Sequence, residues 1–405
     1  MDVRLITEDE VDAYQHLLES SFGADPDPEE LAWWRPLVEP ERTHGVFDGG
    51  TLVGSAAVFT FDMTVPGGGP RPCGGVTGVS VAPTHRRQGA LTSLMRAQLD
   101  AIRDLGRESF ASLWASEPLI YHRFGYGVAS RRWNLTVEGH DPALLGRPPS
   151  GRVRHADMVE MRELAPPLYD ALRAERTGMI SRSGQRWDTR IADLPGNRRG
   201  GSAIRNAVYE RDGEPRGYAW YRVKGDWAEG RPHGQVMVKE LVALDADAHG
   251  GLWRFLLGVD LMRSVSWDNV PADDAIHGRL RDVRSIHARS VVDGLWVRIM
   301  DVPRALTERS YAVARSVTVE VTDDLGYAAG RWVLDASPEG ATCEPTTASA
   351  DVSLSAEELG AVYLGETTLA SLHAAGRVDE HTPGAVRRAS SLFAWPVAPW
   401  CPEIF

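Results

Sequence analysis

Two stretches of this chain are written twice, and both pairs stand the same 162 residues apart: VFDGGTLVGSAAVF at Val46 returns as VYERDGEPRGYAWY at Val208, and VSVAPTHRRQGALTSLM at Val79 returns as LVALDADAHGGLWRFLL at Leu241. One offset shared by two separated segments means a duplicated domain. The first pair reads as strand, charged turn and Gly-led strand, and the second as strand, loop and helix. A chain of 405 residues is too long for one ordinary core, so two or three domains follow.

Within the first copy, VRLIT reads as a strand, and residues 8–21 place Val11, Tyr14, Leu17 and Leu18 at helical spacing. HGVFDGG and TLVGSAAVFTFDMTV pair around Asp48-Gly49-Gly50, which supplies the positive φ of a tight hairpin. VPGGGPRPCGG is expected to be a Gly/Pro-rich loop, VTGVSVAP a buried strand, and residues 86–105 a helix carrying Leu91, Leu94, Met95, Leu99 and Ile102. A strand over residues 109–114 and a short helical or turn segment, IYHRFGYGVA, come next.

The Pro-rich DPALLGRPPSG marks a boundary near residue 140. From Asp301 the texture changes: SVTVEVTDD, GRWVLDA and ADVSLS alternate in period two, and residues 356–375 give two short helical segments, an α+β domain. The expected domains are 1–138, 139–300 and 301–405.

A net charge of −12 disfavours a phosphate-rich partner, since nucleic-acid binding draws on clustered Lys and Arg, and it suits a cationic substrate. Cys73, Cys343 and Cys401 are odd in number and lack CxxC spacing, so neither a disulfide framework nor a metal site is expected. MDVRLITEDEVDAY has no basic segment followed by an apolar one, and no stretch approaches the ~20 apolar residues that span a bilayer. A cytoplasmic protein with no nucleic-acid partner and no membrane span is the expectation.

The strongest chemical signal is the string from Val79 to Ala90, a strand ending in a loop with Arg86, Arg87, Gln88 and Gly89 that opens onto a helix. Such a loop puts free backbone N–H groups where the helix dipole favours an anion, and forms a pyrophosphate cradle. Gly89 permits a backbone approach that a Cβ blocks, and Arg86 or Arg87 adds charge. In the second copy Gly89 maps to Gly251, Arg86 to Ala248 and Arg87 to His249, so that copy is expected to keep the turn, lose the charge and serve as scaffold or pocket wall.

Arg86 and Gly89 match the R/Q-x-x-G-x-G/A acetyl-CoA motif of the Gcn5-related (GNAT) acetyltransferases, with Leu91 departing at the last small position. Together with SEPLIYHRFGYG and the closing WPVAPWCPEIF, the string resembles the Eis (enhanced intracellular survival) family of actinobacterial acetyltransferases over the full length. The resemblance implies an α/β and α+β chain: an active GNAT domain, a degenerate GNAT domain and a sterol-carrier-protein-like domain. It also implies acetyl-CoA as cosubstrate, a small-molecule amine as acceptor, aminoglycosides or lysine side chains among them, and a homohexamer.

On the cofactor the resemblance places Val79, Ser80, Val81, Arg86, Arg87, Gln88, Gly89, Ala90, Leu91 and Thr92, with Ser116 and Glu117. In the SE-x-x-I-Y motif Tyr121 is the general acid that protonates the departing thiolate, with Tyr126 the competing choice. The family's last residue, here Phe405, supplies its main-chain carboxylate as general base, and the apolar FAWPVAPWCPEIF argues that this end is buried. Asp25, Trp33 and Trp34 fall where the family lines its substrate pocket, a carboxylate with aromatic faces for a polycation; the plainer alternative is a surface Asp and two packing tryptophans. Two further readings stay open: a lipid- or ligand-binding protein using the C-terminal domain, and a transferase with another acyl donor.

Overall fold

Strand β1 (Asp2–Leu5) leads into a turn in which the Thr7 amide donates to the Glu10 carboxylate (2.9 Å), and α1 (Val11–Ser21) follows, burying Val11 and Tyr14. The computed structural model describes residues 1–139 and 144–405. Helix α2 (Pro28–Trp34) starts behind Asp27, whose carboxylate accepts from the Glu29 amide at 2.9 Å. Strands β2 (Thr43–Asp48) and β3 (Thr51–Val65) meet across Gly49 and Gly50, at φ +56° and +85°, the left-handed pair that a two-residue hairpin demands.

The expected loop after β3 shrinks to residues 66–68, because β4 (Gly69–Val81) pairs with β3 from Val65–Gly69 onward. Pro70 and Pro72 are tolerated there because β5 (Phe110–Trp114) reaches β4 only at residues 73–76, so that their missing N–H groups face no second strand. Helix α3 runs Ala90–Leu105 rather than from residue 86, since Arg87 (φ +63°) and Gly89 (φ +87°) are left-handed and cannot continue a right-handed turn. Its Leu94, Met95, Leu99 and Ile102 are buried. The short β6 (Gly127–Val128) follows.

The boundary expected near residue 140 lies outside the described residues. A second compact unit, Arg131–Arg176 with Arg190–Val292, holds its own sheet. Its elements are β7 (Arg131–Glu138), β8 (Arg152–Ala156), α4 (Met158–Arg173), the end of α5 (Gly184–Ile191), β9 (Arg205–Arg211), β10 (Glu214–Lys224), a small hairpin of β11 (Trp227–Ala228) and β12 (Arg231–Pro232), β13 (Gly234–Ala243), α6 (Ala246–Leu257), β14 (Met262–Pro271), α7 (Ile276–Arg279) and β15 (Ile286–Asp293). The strand order is β15-β7-β14-β13-β10-β9-β8. Asp212 (φ +54°) and Gly213 (φ +82°) turn the β9–β10 hairpin as Gly49 and Gly50 turn β2–β3, and β13 and β14 are parallel around α6 as β4 and β5 are around α3. The duplication is structural.

The other unit comprises Met1–Ser130, Thr177–Thr189 and Asp293–Phe405. Strand β16 (Leu295–Ile299) inserts between β5 and β6, completing the order β1-β2-β3-β4-β5-β16-β6. Beyond it come α8 (Val302–Glu308), β17 (Arg315–Thr322), β18 (Gly330–Ser337), β19 (Gly340–Pro345), β20 (Val352–Ser355), α9 (Ala356–Val362), α10 (Leu369–Ala374), β21 (Asp379–Glu380) and α11 (Ala385–Phe393). This five-stranded sheet, β19-β18-β17-β20-β21, shares one apolar core with the first sheet, in which Phe61, Phe110 and Val297 join Val319, Leu359 and Phe393. No helix among the described residues is long and apolar enough to cross a membrane.

Candidate active site

Beyond Val76, β4 parts from β5, and residues 77–81 have no strand on that side among the described residues. A bulge marks the divergence: between the pairs Ala57–Thr77 and Ser55–Ser80, β4 carries one more residue than β3. Gly78 sits in it at φ +57°, and a Cβ there would lie 2.2 Å from the Tyr14 hydroxyl oxygen. The splay leaves a length of extended backbone open to a strand-like ligand.

At the end of β4, residues 86–89 wind left-handed at Arg87 and Gly89 into the N-terminus of α3, whose first helical bond runs from the Ser93 amide to the Gly89 carbonyl (3.0 Å). The N–H groups of Ala90, Leu91 and Thr92 precede that bond and have no intrahelical acceptor. A Cβ on Gly89 would meet no other atom within 4 Å, so its φ and the open space above it, not packing, require glycine. The Gln88 amide nitrogen donates back to the Thr84 carbonyl (3.1 Å), and Arg86 Nε leans toward the Val81 carbonyl (3.4 Å).

Loop and splay face a cavity of about 820 Å³. It is lined by Val79, Ser80, Val81, Arg86, Arg87, Gly89, Ala90, Leu91, Thr92, Ser116, Glu117 and Tyr121, so among the residues the sequence places on the cofactor only Gln88 is not on the wall. Ser21, Phe22, His85, Ile120 and Arg123 also line it. Sequence reasoning missed these five; Ile120 and Arg123, flanking Tyr121, were within its reach, whereas Ser21 ends α1, Phe22 follows it, and neither carries a local signal.

Tyr121 is buried in the cavity wall, its ring edge-on to Tyr126 (6.1 Å between centroids). Burial raises its pKa above the ordinary tyrosine value, a hydrogen bond from Ser116 partly opposes this, and the charge of Glu117 adds to it. The hydroxyl therefore holds its proton at neutral pH. Tyr126 is fully buried off the cavity, with no hydrogen-bond partner for its hydroxyl. Cys73, Cys343 and Cys401 are buried, and burial pushes the thiols of Cys343 and Cys401 up to about 12, far from a thiolate nucleophile.

The second copy corrects one expectation, for it does not keep the turn. Helix α6 begins at Ala246, so Gly251 lies inside the helix, where a Cβ would come 2.3 Å from the Tyr209 ring, and Ala248 and His249 are helical too. Two of its free N–H groups are already taken: the Asp245 carboxylate accepts from the Asp247 (3.1 Å) and Ala248 (2.9 Å) amides and pairs with Arg211 and Arg216. A helix end filled by its own carboxylate has no room for a phosphate.

Phe405 lies elsewhere than Tyr121, in a smaller cavity of about 210 Å³, with its ring edge-on to Phe61 (4.8 Å). Trp34 lines the same cavity, whereas Asp25 is exposed and neither it nor Trp33 lines either cavity. Residues 177–181 bond along β3, from the Gly178 amide to the Thr64 carbonyl (2.8 Å) and from the Ser181 amide to the Asp62 carbonyl (2.8 Å), and the Trp400 amide donates to the Thr177 carbonyl (2.8 Å). The last segment is thus seated on the first sheet.

The acetyltransferase (GNAT) domain family matches residues 2–129 and again 178–299, and the sterol carrier protein domain family matches residues 302–402. The chain is 35% identical to the N-acetyltransferase Eis of Mycobacterium tuberculosis, over 96% of this chain and 95% of that protein. It belongs to the Eis family of N-acetyltransferases. An uncharacterized N-acetyltransferase of Streptomyces avermitilis is 42% identical over 100% of this chain and 99% of its own length. The crystal structure of Eis1 from Mycobacterium abscessus superposes with a TM-score of 0.88 at 31% identity, covering both chains fully. The expected tandem GNAT architecture with a sterol-carrier-like domain is the one found, and this Eis-family chain is an N-acetyltransferase.

Proposed function

We propose that this enzyme moves an acetyl group from acetyl-CoA to a primary amine by direct attack, with Tyr121 as general acid and the Phe405 main-chain carboxylate as general base. The observation that carries the reading is the convergence of three features on one cavity: the open length of β4, the left-handed loop at the α3 N-terminus and the protonated Tyr121 hydroxyl. The cavity fits the cosubstrate: Gly89 leaves open the space a Cβ would fill, free amides and Arg86 and Arg87 suit a pyrophosphate, and residues 79–81 suit an amide-bearing arm.

Acetyl-CoA supplies the acetyl group as a thioester. Tyr121 would hold a proton for the departing sulfur, and the base would take one from the incoming nitrogen. Three buried thiols with no stabilised thiolate support a single transfer without an acetylated enzyme. Aminoglycosides, at more than one position, and lysine side chains are the acceptors that the family likeness brings forward, and a cytoplasmic homohexamer is the assembly it brings forward.

Thiol release from acetyl-CoA, followed with aminoglycosides, a lysine peptide and simple diamines, tests the reading. Amine-dependent release supports it. Thermal stabilisation by acetyl-CoA without release from any amine would keep the cofactor cavity and discard the acceptor class, and a co-purifying lipid with no acetyl-CoA binding would favour a lipid-binding role for the C-terminal domain.

A further inference from the structure

Tyr121 stands on a segment whose backbone is tied to itself. Through the turns Pro118–Ile120 and His122–Phe124, the amides of Ile120, Tyr121, Phe124, Gly125 and Tyr126 all donate to carbonyls of residues 117–122. Strand β5 has ended at Trp114, and β6 does not begin until Gly127. The Tyr121 ring meets other rings, Tyr126 at 6.1 Å and Trp296 at 6.5 Å between centroids, and such pairs tolerate a range of separations. Where the hydroxyl rests is therefore set by how the segment itself is pinned.

The next residue supplies the pin. His122 Nδ1 donates to Oε1 of Glu357 at 2.5 Å, and its ring stands edge-on to Trp296 (4.8 Å). Neither His122 nor Glu357 lines the cavity of Tyr121 or the smaller one beside Phe405. Glu357 sits on the first turn of α9, where its amide donates to the Ser355 hydroxyl (3.1 Å). Arg377 binds both Glu357 and Glu358, with Nε donating to Glu358 at 2.8 Å. Helix α9 lies on the first sheet without slack. A Cβ on Gly127 would fall 1.9 Å from the Glu357 carbonyl oxygen, and one on Gly360 would fall 2.1 Å from the Val297 carbonyl oxygen. Backbone meets backbone at both points, so the height of α9 over the sheet is fixed with no pliable side chain between.

Resting on the general-acid role of Tyr121 proposed above, we infer that His122 and Glu357 are positioning residues: through this hydrogen bond the sterol-carrier-like domain holds the Tyr121 hydroxyl in its place on the larger cavity. A displacement of about 1 Å costs about a hundredfold in rate even when the altered residue is remote from the chemistry. The same bond contributes little to overall stability, because one partner is exposed enough for solvent to screen it. Positioning and folding therefore separate in experiment.

The test is steady-state thiol release from acetyl-CoA, with the fastest of the amines named above, in the wild type, His122→Ala, His122→Asn, Glu357→Ala, the His122→Ala/Glu357→Ala double variant, and Tyr121→Phe with and without His122→Ala. His122→Ala and Glu357→Ala should each lower kcat by about ten- to a hundredfold, with the acetyl-CoA KM and the melting temperature nearly unchanged. The double variant should lose no more than either single one, since both remove the same bond. His122→Asn, whose amide N–H can donate to Glu357 as the Nδ1–H does, should regain most of the rate. Beneath Tyr121→Phe, His122→Ala should cost nothing further. Unchanged kcat in both single variants, additive losses, no recovery in His122→Asn, or the full further loss beneath Tyr121→Phe would overturn the inference and leave the acid role intact. Full turnover in Tyr121→Phe alone would instead overturn the acid role on which it rests, and no release with any amine would overturn the transferase reading.

Discussion

Glu403 is held by Arg186 through an Nη1 to Oε1 hydrogen bond of 2.7 Å, with both side chains almost wholly withdrawn from solvent. Arg182 Nε donates to the other carboxylate oxygen at 2.7 Å, and the two guanidinium groups lie over aromatic rings, Arg182 over Trp187 and Arg186 over Phe59. This buried triad stands two residues before Phe405 and fixes where that residue lies. Replacing Glu403 with Gln removes the carboxylate charge that faces Arg182 and Arg186, and breaking a buried pair costs about 3–5 kcal/mol. Urea unfolding should show a loss of that order, and turnover should fall with it; unchanged values would mean that the triad is solvated and idle.

Substituting Gly89 with Ala tests the cradle. At φ +87° an Ala at this position costs about 1–3 kcal/mol of backbone strain. Relief by unwinding the loop should raise the acetyl-CoA KM about tenfold, since each 1.4 kcal/mol is a factor of ten. Combined Arg86→Ala and Arg87→Ala should do the same without strain. Unaltered binding in all these variants would place the pyrophosphate elsewhere.

Tyr121→Phe should lower kcat by about 10²–10⁴ with little change in the acetyl-CoA KM, because a missing acid is felt in the transition state. Tyr126→Phe removes a buried hydroxyl that has no partner and should leave kcat nearly intact and stability equal or higher. Equal losses in the two variants would refute the assignment of roles.

The pH profile carries a signed expectation. Burial first, opposed by Ser116 and reinforced by Glu117, raises the Tyr121 pKa, so the acid form persists through and beyond the ordinary tyrosine range. Activity should rise with pH on the acid side, as acceptor ammonium and base lose protons, and any fall due to Tyr121 should begin only above about pH 10. An alkaline limb near neutrality that vanishes in Tyr121→Phe would contradict the burial argument.

Adding one residue after Phe405 displaces the carboxylate by up to ~3.5 Å. A base must lie within hydrogen-bond reach of its proton, so kcat should collapse while acetyl-CoA still stabilises the protein thermally. Full turnover in the extended enzyme would reduce Phe405 to its packing on Phe61.

Much of the larger cavity was legible from the chain because its determinants are local. Gly89 after Arg86 and Arg87, at the end of an apolar strand and the start of a periodic helix, sets φ, charge and free amides within a dozen residues, and Tyr121 stands close behind Ser116 and Glu117. The Gly49-Gly50 hairpin and the 162-residue duplication are likewise written in residue types at fixed spacing. What the alignment of copies could not reveal was the fate of Gly251, since one carboxylate, Asp245, captured the amides and let the helix start early.

Only the tertiary structure decided which strands share a sheet. Strand β7, which the sequence reading assigns to residues 1–138, pairs with β14 and β15, and β16, from the far end of the second copy, lies between β5 and β6. Both are short, and pairing is chosen by the whole core rather than by neighbours along the chain. The same holds for the wall beside Phe405, where α1, α2, β3, β4 and the last residues converge from opposite ends of the sequence. Local φ preferences and charge are encoded within a few residues, whereas which surfaces meet is fixed by long-range burial that leaves no local mark.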